Sequence, residues 1–258
     1  FRYRPTDSVA LRLSQGASIL PPSLSQLSVA TLNNLPVAGA LDPKRGNQPV
    51  GAVEEYLLLG NNDLKSEKAR SLSAGLIFTP ARLPGLRLSV DYTRIRKTDE
   101  IDTISAQAQL DLEDMLPGRI RRAPLTPEDQ ALGYTGGVIE FFHAGLINMA
   151  HTELEAYDIS GDFRWPTRYG TIQTHLMASH TPHRVRQILA DSPRVDSVGY
   201  SGGVLKWRGN AGLSLERQLW SAGWSMQYYH SYLVYSATAS ATTAQTAVLN
   251  HGSDTIPH

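Results

Sequence analysis

Apolar and polar residues take turns along long stretches of this chain, the pattern of a β-strand with one apolar and one wet face. From Leu86, the apolar set Leu86, Leu88, Val90 and Tyr92 interleaves with Arg87, Ser89, Asp91 and Thr93. From Tyr157, the set Tyr157, Ile159, Phe163 and Trp165 interleaves with Asp158, Ser160, Asp162 and Arg164. A helix would scatter both sets around its surface. The alternation also runs through Val9, Leu11 and Leu13, through Leu72, Ala74, Leu76 and Phe78, and through Ile172, Thr174 and Leu176. It returns at Leu205, Trp207, Ala211, Leu213 and Leu215 against Lys206, Arg208, Asn210, Ser214 and Glu216, then at Ala222, Trp224, Met226 and Tyr228 against Ser225, Gln227 and Tyr229. The pattern predicts an all-β chain of roughly eight strands, several of them meeting the ~9–11 residues of a tilted membrane strand.

The connections are unequal in an ordered way. Tight ones fall at Pro5-Thr6-Asp7, at 80–85, at Pro166-Thr167-Arg168-Tyr169-Gly170 and at 217–220, all with turn-forming residues. Long ones cover approximately 17–66, 98–150, 182–202 and 234 to the end. Structureless loops of that length are uncommon in a compact soluble domain. An outer-membrane barrel, by contrast, has short periplasmic turns and long extracellular loops by construction. The alternation in loop length therefore favours an antiparallel transmembrane β-barrel over a β-sandwich. Phe78, Trp165 and Trp220 each stand beside a short turn, where an interfacial aromatic girdle would lie.

Composition narrows the reading further. With 24 Lys+Arg against 24 Asp+Glu and a pI near 7.3, there is no basic field to attract a phosphate backbone, and nucleic acid is not an expected partner. The chain has no cysteine, which excludes disulfides, thiolate zinc sites and thiol nucleophiles together. Its longest apolar runs resemble Tyr56-Leu57-Leu58-Leu59, far short of the ~18 residues of a spanning helix. The opening Phe1-Arg2-Tyr3-Arg4 lacks the features of a secretory signal, so the leader is expected to have been removed or the chain to be an internal piece. A mean hydropathy of -0.25 is compatible with a membrane wall, because a barrel strand is apolar only at every second position.

Specific strings carry a family resemblance. Gly60-Asn61-Asn62-Asp63-Leu64-Lys65-Ser66-Glu67-Lys68, then Leu76-Ile77-Phe78-Thr79-Pro80, then Leu83 to Tyr92, resemble a stretch found in the barrels of TonB-dependent receptors. Pro5-Thr6-Asp7 with Leu11-Arg12, Ser14, Gly16 and Pro22-Ser23-Leu24-Ser25-Gln26-Leu27 is similar to a strand and loop of the same family. Ile147 to Asp158 is similar to a strand entry there, with Ala156 where the family has glycine, and Lys206-Trp207-Arg208-Gly209-Asn210 resembles another strand start that Ser221-Ala222-Gly223-Trp224 continues. The likeness spans almost the whole chain, in order.

The resemblance implies a barrel of about 22 strands, closed by a separate plug, in the outer membrane of a Gram-negative bacterium. It implies import of a scarce ligand (a siderophore, cobalamin or a carbohydrate) with energy passed on by TonB. Residues 1–258 are expected to form a partial barrel domain from its C-terminal half, since nothing corresponds to the plug and Ile256-Pro257-His258 precedes the final strand. An open sheet of that kind leaves unpaired edges, which are costly in hydrocarbon, so the piece is not expected to insert or transport alone. Expected partners are outer-membrane lipid, the parent's plug and TonB, and a small molecule at the extracellular loops. The alternatives are a soluble β-sandwich binding or adhesion module and a passive porin-like barrel.

No enzymatic site is expected: catalytic, cofactor and metal residues are none, and no ligand-binding residue is assigned. His175 and His180 have opposite parity and so face opposite sides of a strand; neither they nor His180 with His183 find an acidic partner at zinc-like spacing. Asp111, Glu113 and Asp114, with Arg119, Arg121 and Arg122 just beyond, read as a solvated loop face in preference to a grip on a charged ligand. Thr126 with Pro127 reads as the N-cap and first turn of a short loop helix. Gly136-Gly137 and Gly202-Gly203 lack the strand-to-helix setting of a phosphate loop. Arg87, Asp91, Asp158, Asp162, Arg164, Lys206 and Arg208 are expected to line a hydrated lumen, where contact with the plug is the further reading.

Overall fold

The computed structural model describes every residue except Val29, Ala38, Ser240, Pro257 and His258, and every side chain except also those of Ala30, Thr31, Leu58, Leu59 and Thr242. The last two residues of the expected chain end and half of the Tyr56–Leu59 run's side chains thus lie outside what is described.

Eight strands form one sheet in strict chain order, each pairing antiparallel with the next. They are β1 (Arg2–Thr6), β2 (Val9–Leu20), β3 (Glu67–Phe78), β4 (Leu86–Thr98), β5 (His151–Thr167), β6 (Gly170–Gln187), β7 (Trp207–Arg217) and β8 (Trp220–Tyr229). A short strand, Val195–Asp196, attaches to the upper part of β6. The order is an up-and-down meander, and β1 and β8 do not pair with each other, so the sheet is open at both edges.

The register aligns the alternating stripes into one face. Leu11 stands opposite Leu76, Leu76 opposite Val90, Val90 opposite Ile159, Ile159 opposite Ala178, Ala178 opposite Gly209, and Gly209 opposite Tyr228. One slipped residue anywhere would turn a strand's apolar set to the polar side. This face is bare: Trp224 is 59% exposed and Met226 49%. Among the described residues no second layer covers it, which removes the β-sandwich alternative.

The hydrophobic core lies elsewhere, in the long connections. Strands at Ala30–Pro36, Ala52–Leu59, Ile120–Arg122 and Ile139–His143 form a second, four-stranded sheet. Its core is Val37, Ala40 and Val53 from the first long loop with Leu110, Ile139 and Phe142 from the second. The two loops share this core, and together they exclude water from Phe142 completely. These loops therefore carry structure of their own, of which the sequence reading had only the short helix starting at Thr126 and Pro127. Their short helices are α1 (Leu24–Leu27), α2 (Ala106–Asp111) and α3 (Pro127–Ala131); α4 (Ala241–His251) lies in the last connection.

Strand ends also overrun the expected limits: β2 continues to Leu20 and β6 to Gln187. Beyond the apolar band no lipid boundary holds a strand to alternation, so the period-two signal fades over 17–20 and 184–187 while the backbone ladder continues.

Candidate functional site

Two rows of aromatic rings bound the apolar face. Near the short turns stand Phe163 and Trp165, with ring centroids 6.3 Å apart, in line with the Phe78, Trp165 and Trp220 girdle read from the sequence. Near the long loops a chain of rings crosses four strands: Tyr92 to Tyr157 at 5.1 Å, Tyr157 to His180 at 6.3 Å, and His180 stacked on Trp207 at 4.2 Å. The sequence reading missed this upper row, because it appears only when register brings the rings together. Tyr157 and Trp165 are eight residues apart, about 27 Å along the strand at ~3.4 Å each. At the usual ~40° tilt this becomes roughly 20 Å of height, close to the ~25 Å apolar band of an outer-membrane barrel.

Above the upper row the same face turns ionic. Arg94 pairs with Glu153 and reaches Glu155 at 3.1 Å, and Arg96 lies 3.3 Å from Glu153. A bulge in β6 opposite Glu155 and Tyr157 inserts one residue, and so brings His183 to the face that already carries His180. His183 Nδ1 lies 2.9 Å from Asp196 Oδ2. His175 is on the opposite face, beside Asp162 and Gly212, as its parity requires.

The opposite face carries the expected polar set. Arg87 stands opposite Asp162, Arg164 opposite Gln173, Asp158 opposite both Asp91 and Ser179, and Arg208 opposite Ser179. Two carboxylates side by side would repel. Each is instead satisfied from its far side: Arg12 Nε donates to Asp91 at 2.7 Å, and Ser179 Oγ donates to Asp158 at 2.6 Å. Lys206 stands just ahead of β7, its carbonyl accepting from the backbone N–H of Thr181 at 3.0 Å. Arg12 was not singled out in the sequence, although Leu11 and Leu13 on either side already place it inward.

In the loop assembly two arginines overturn the solvated reading. Arg119 is only 8% exposed and donates to Gln109 Oε1 at 3.2 Å, to the His143 carbonyl at 2.9 Å, to the Leu146 carbonyl at 3.3 Å and to the Gly145 carbonyl. Among the described residues it meets no carboxylate, and burial pushes its pKa down to about 10. Arg122 makes paired bonds to Asp42 at 2.7 and 2.9 Å and to Glu113 at 2.8 Å twice. Burial alone would lower its pKa; the bonds to Glu113 and Asp42 outweigh that and raise it above the usual arginine value. The acidic cluster is thereby split, with Glu113 locked under the loops while Asp114 stays exposed and holds Lys44 at 2.6 Å. Arg121 is the arginine of the three that remains in solvent.

Smaller features agree with the sequence. Thr126 caps α3, accepting from Asp129 N at 3.1 Å, with Pro127 in the first turn. Gly137 serves packing, since a Cβ there would come 2.1 Å from the Ala123 carbonyl oxygen. His143 lies 3.2 Å from the Gly60 carbonyl through Nε2, and burial, reinforced by Arg119, lowers its pKa so that the ring is neutral at pH 7.

An exposed apolar band between two aromatic rows, a polar reverse face and a meander with alternating short and long connections define an outer-membrane barrel wall. The family model described as TonB dependent receptor-like, beta-barrel matches residues 1–255. The chain belongs to this family.

Solved TonB-dependent receptors share its fold. A variant of the ferric enterobactin receptor PfeA of Pseudomonas aeruginosa is 13% identical, with 99% of this chain and 30% of the receptor covered at a TM-score of 0.58. Another PfeA variant, in complex with enterobactin, is 14% identical over 90% of this chain and 27% of that one, at 0.55. The siderophore receptor PirA of Acinetobacter baumannii is 12% identical over 90% and 28%, at 0.54. Identities this low establish fold alone, and the chain spans 27–30% of these receptors' length. No curated protein is detectably similar in sequence. As part of a TonB-dependent receptor barrel, the sheet sits in the outer membrane of a Gram-negative bacterium. Its apolar stripe meets lipid, its short turns face the periplasm and its long loops face outward.

Proposed function

We propose that residues 1–258 form a portion of the barrel wall and the outer loops of a TonB-dependent, ligand-gated importer, and that this chain is not an enzyme. The observation that carries the reading is the bare apolar stripe held between two aromatic rows, on a sheet whose reverse face is polar and whose loops fold together on one side. The unpaired outer edges of β1 and β8 support further strands in the parent, because unpaired backbone groups in hydrocarbon cost several kcal/mol each. The polar row from Arg12 through Asp91 and Asp158 to Arg208 is the surface a plug domain would meet, and TonB would act through that plug.

The imported ligand is a small, scarce nutrient bound on the loop side. Among siderophore, cobalamin and carbohydrate, the fold neighbours favour a ferric siderophore, since PfeA is described as a ferric enterobactin receptor and PirA as a siderophore receptor. The test is uptake by cells with and without the parent gene under iron restriction, supplied with single ferric siderophores. The expected result is loss of growth on at least one of them in the deletion strain, and an equal loss when TonB is removed. Uptake that survives removal of TonB would instead identify a passive porin-like barrel and overturn the proposal.

A further inference from the structure

On the lipid-facing side, at the short-turn end, the β5–β6 and β7–β8 hairpins lie next to each other and leave a groove of about 620 Å³. Register builds its walls. Trp165 stands opposite Ile172, Ile172 opposite Leu215, and Trp220 opposite Arg217 at the mouth of the next turn. The apolar surface is open, with Trp165 55% and Tyr169 58% exposed, and Leu219 at the tip of the β7–β8 turn is 95% exposed.

The charges around it are of one sign. Arg168 and Arg217 are the charged residues lining the groove, and no carboxylate shares it. Arg168 lies over the Tyr169 ring, 4.5 Å from its centroid. The neighbouring Glu216 is committed to the other face, where its Oε2 accepts from Gln173 Nε2 at 2.7 Å. Among the described residues neither arginine has a carboxylate within ion-pairing distance.

We propose that this groove binds one anionic glycerophospholipid of the periplasmic leaflet. An acyl chain lies along Ile172 and Leu215, and the phosphodiester is held by Arg168 and Arg217. The reading rests on the placement of the wall in the outer membrane. At that placement the groove sits at the level where the apolar band ends and headgroups begin, the depth at which arginine stems lie along apolar surface with their charge in the polar layer. A guanidinium matches a phosphate with paired, charge-assisted hydrogen bonds. A zwitterionic headgroup would bring an ammonium beside two cations and lose part of that gain. The volume lies within the ~300–1,000 Å³ of small-molecule sites.

The test uses the intact receptor purified in mild detergent, titrated with phosphatidylglycerol or with phosphatidylcholine of the same acyl chains, and read by native mass spectrometry as the number of lipids retained. One phosphatidylglycerol should bind roughly tenfold more tightly than phosphatidylcholine, the value of about one charge-assisted bond. The folded double variant Arg168→Ser with Arg217→Ser should bring the two lipids to parity, while Lys68→Ser with Arg70→Ser at the other rim should leave the preference intact. Equal retention by the wild-type receptor, or a preference that persists in the folded Arg168/Arg217 double variant, overturns the proposal. A second readout needs no arginine variant. Phosphatidylglycerol brominated on its acyl chains should quench tryptophan emission more than brominated phosphatidylcholine at the same mole fraction, and the excess should vanish in Trp165→Phe with Trp220→Phe; equal quenching by both lipids also overturns it. Both readings report lipid binding and not uptake, so a receptor that imports some other nutrient leaves them unaffected.

Discussion

Arg12 on β2 pairs with Asp91 on β4 across the intervening strand, its Nε 2.7 Å from Oδ1, by passing over Gly75 of β3. The contact exists because position 75 has no side chain: a Cβ there would stand 1.9 Å from Asp91 Oδ1 and 2.7 Å from Arg12 Nε. Three strands are thus tied on the lumen side by one ion pair and one absence. The pair leaves Asp91 neutralised, so that Asp158 can stand beside it on β5.

This arrangement predicts non-additivity. Gly75→Ala should push the two side chains apart, and because the pair is partly solvated the loss should be no more than about 1 kcal/mol. Arg12→Ala should cost a similar amount, and the double variant little more than either single one. Urea unfolding of the intact receptor in lipid vesicles gives the three values; full additivity would show that the pair and the glycine act separately.

The two long loops should behave as one folding unit. Phe142→Ala removes the ring at the centre of their shared core, where it stacks on Tyr56 with centroids 5.7 Å apart, and should cost about 3–5 kcal/mol. Hydrogen exchange should then rise in both 30–59 and 106–143 while β4 and β5 stay protected. Exchange confined to the segment carrying the substitution would mean that the loops fold independently.

The sequence showed the wall more clearly than what stands above it, and the physics explains the difference. A strand between lipid and lumen must alternate, so Leu86 to Thr93 and Tyr157 to Arg164 announce both their conformation and their faces. The segment Arg184–Gln187 extends beyond the apolar band, where nothing forces alternation, and it read as loop although it is strand. The loop sheet was illegible for another reason: Phe141–His143 pairs in parallel with Glu55–Leu57, from a distant loop, so no local period records the partnership. Arg119 and Arg122 misled because a charge read alone implies solvent, whereas their partners Gln109, Asp42 and Glu113 come from elsewhere in the two loops.

Acid should loosen this loop assembly through His143. Its imidazole is held below the ordinary value of ~6.5 by burial and then by Arg119, so above that pH it is neutral whether the loops are closed or open. As pH falls below ~6.5, the open form takes up a proton that the closed form resists, and closure loses stability. Amide exchange over 139–147, corrected for its intrinsic pH dependence, should be faster at pH 5.5 than at 7.5. His143→Gln should flatten that difference; an unchanged difference in the variant would assign it to other groups.

The lipid-facing stripe is tested most directly at its middle. Leu176 lies opposite Gly161, which is halfway between the Tyr157 and Trp165 rows, while Asn210 occupies the lumen face one position away in the ladder. Leu176→Arg places a cation at the depth where it is most costly, about 2–4 kcal/mol at the midplane of a barrel. Asn210→Arg adds the same charge to a hydrated interior and should stay within about 0.5 kcal/mol. Heat-modifiable mobility of outer-membrane preparations gives the assembled fraction, and urea midpoints in vesicles give the energies. The contrast between the two variants is decisive because both carry the same side chain at nearly the same height: equal effects would mean that the two faces of the sheet meet the same solvent, which a membrane wall cannot do.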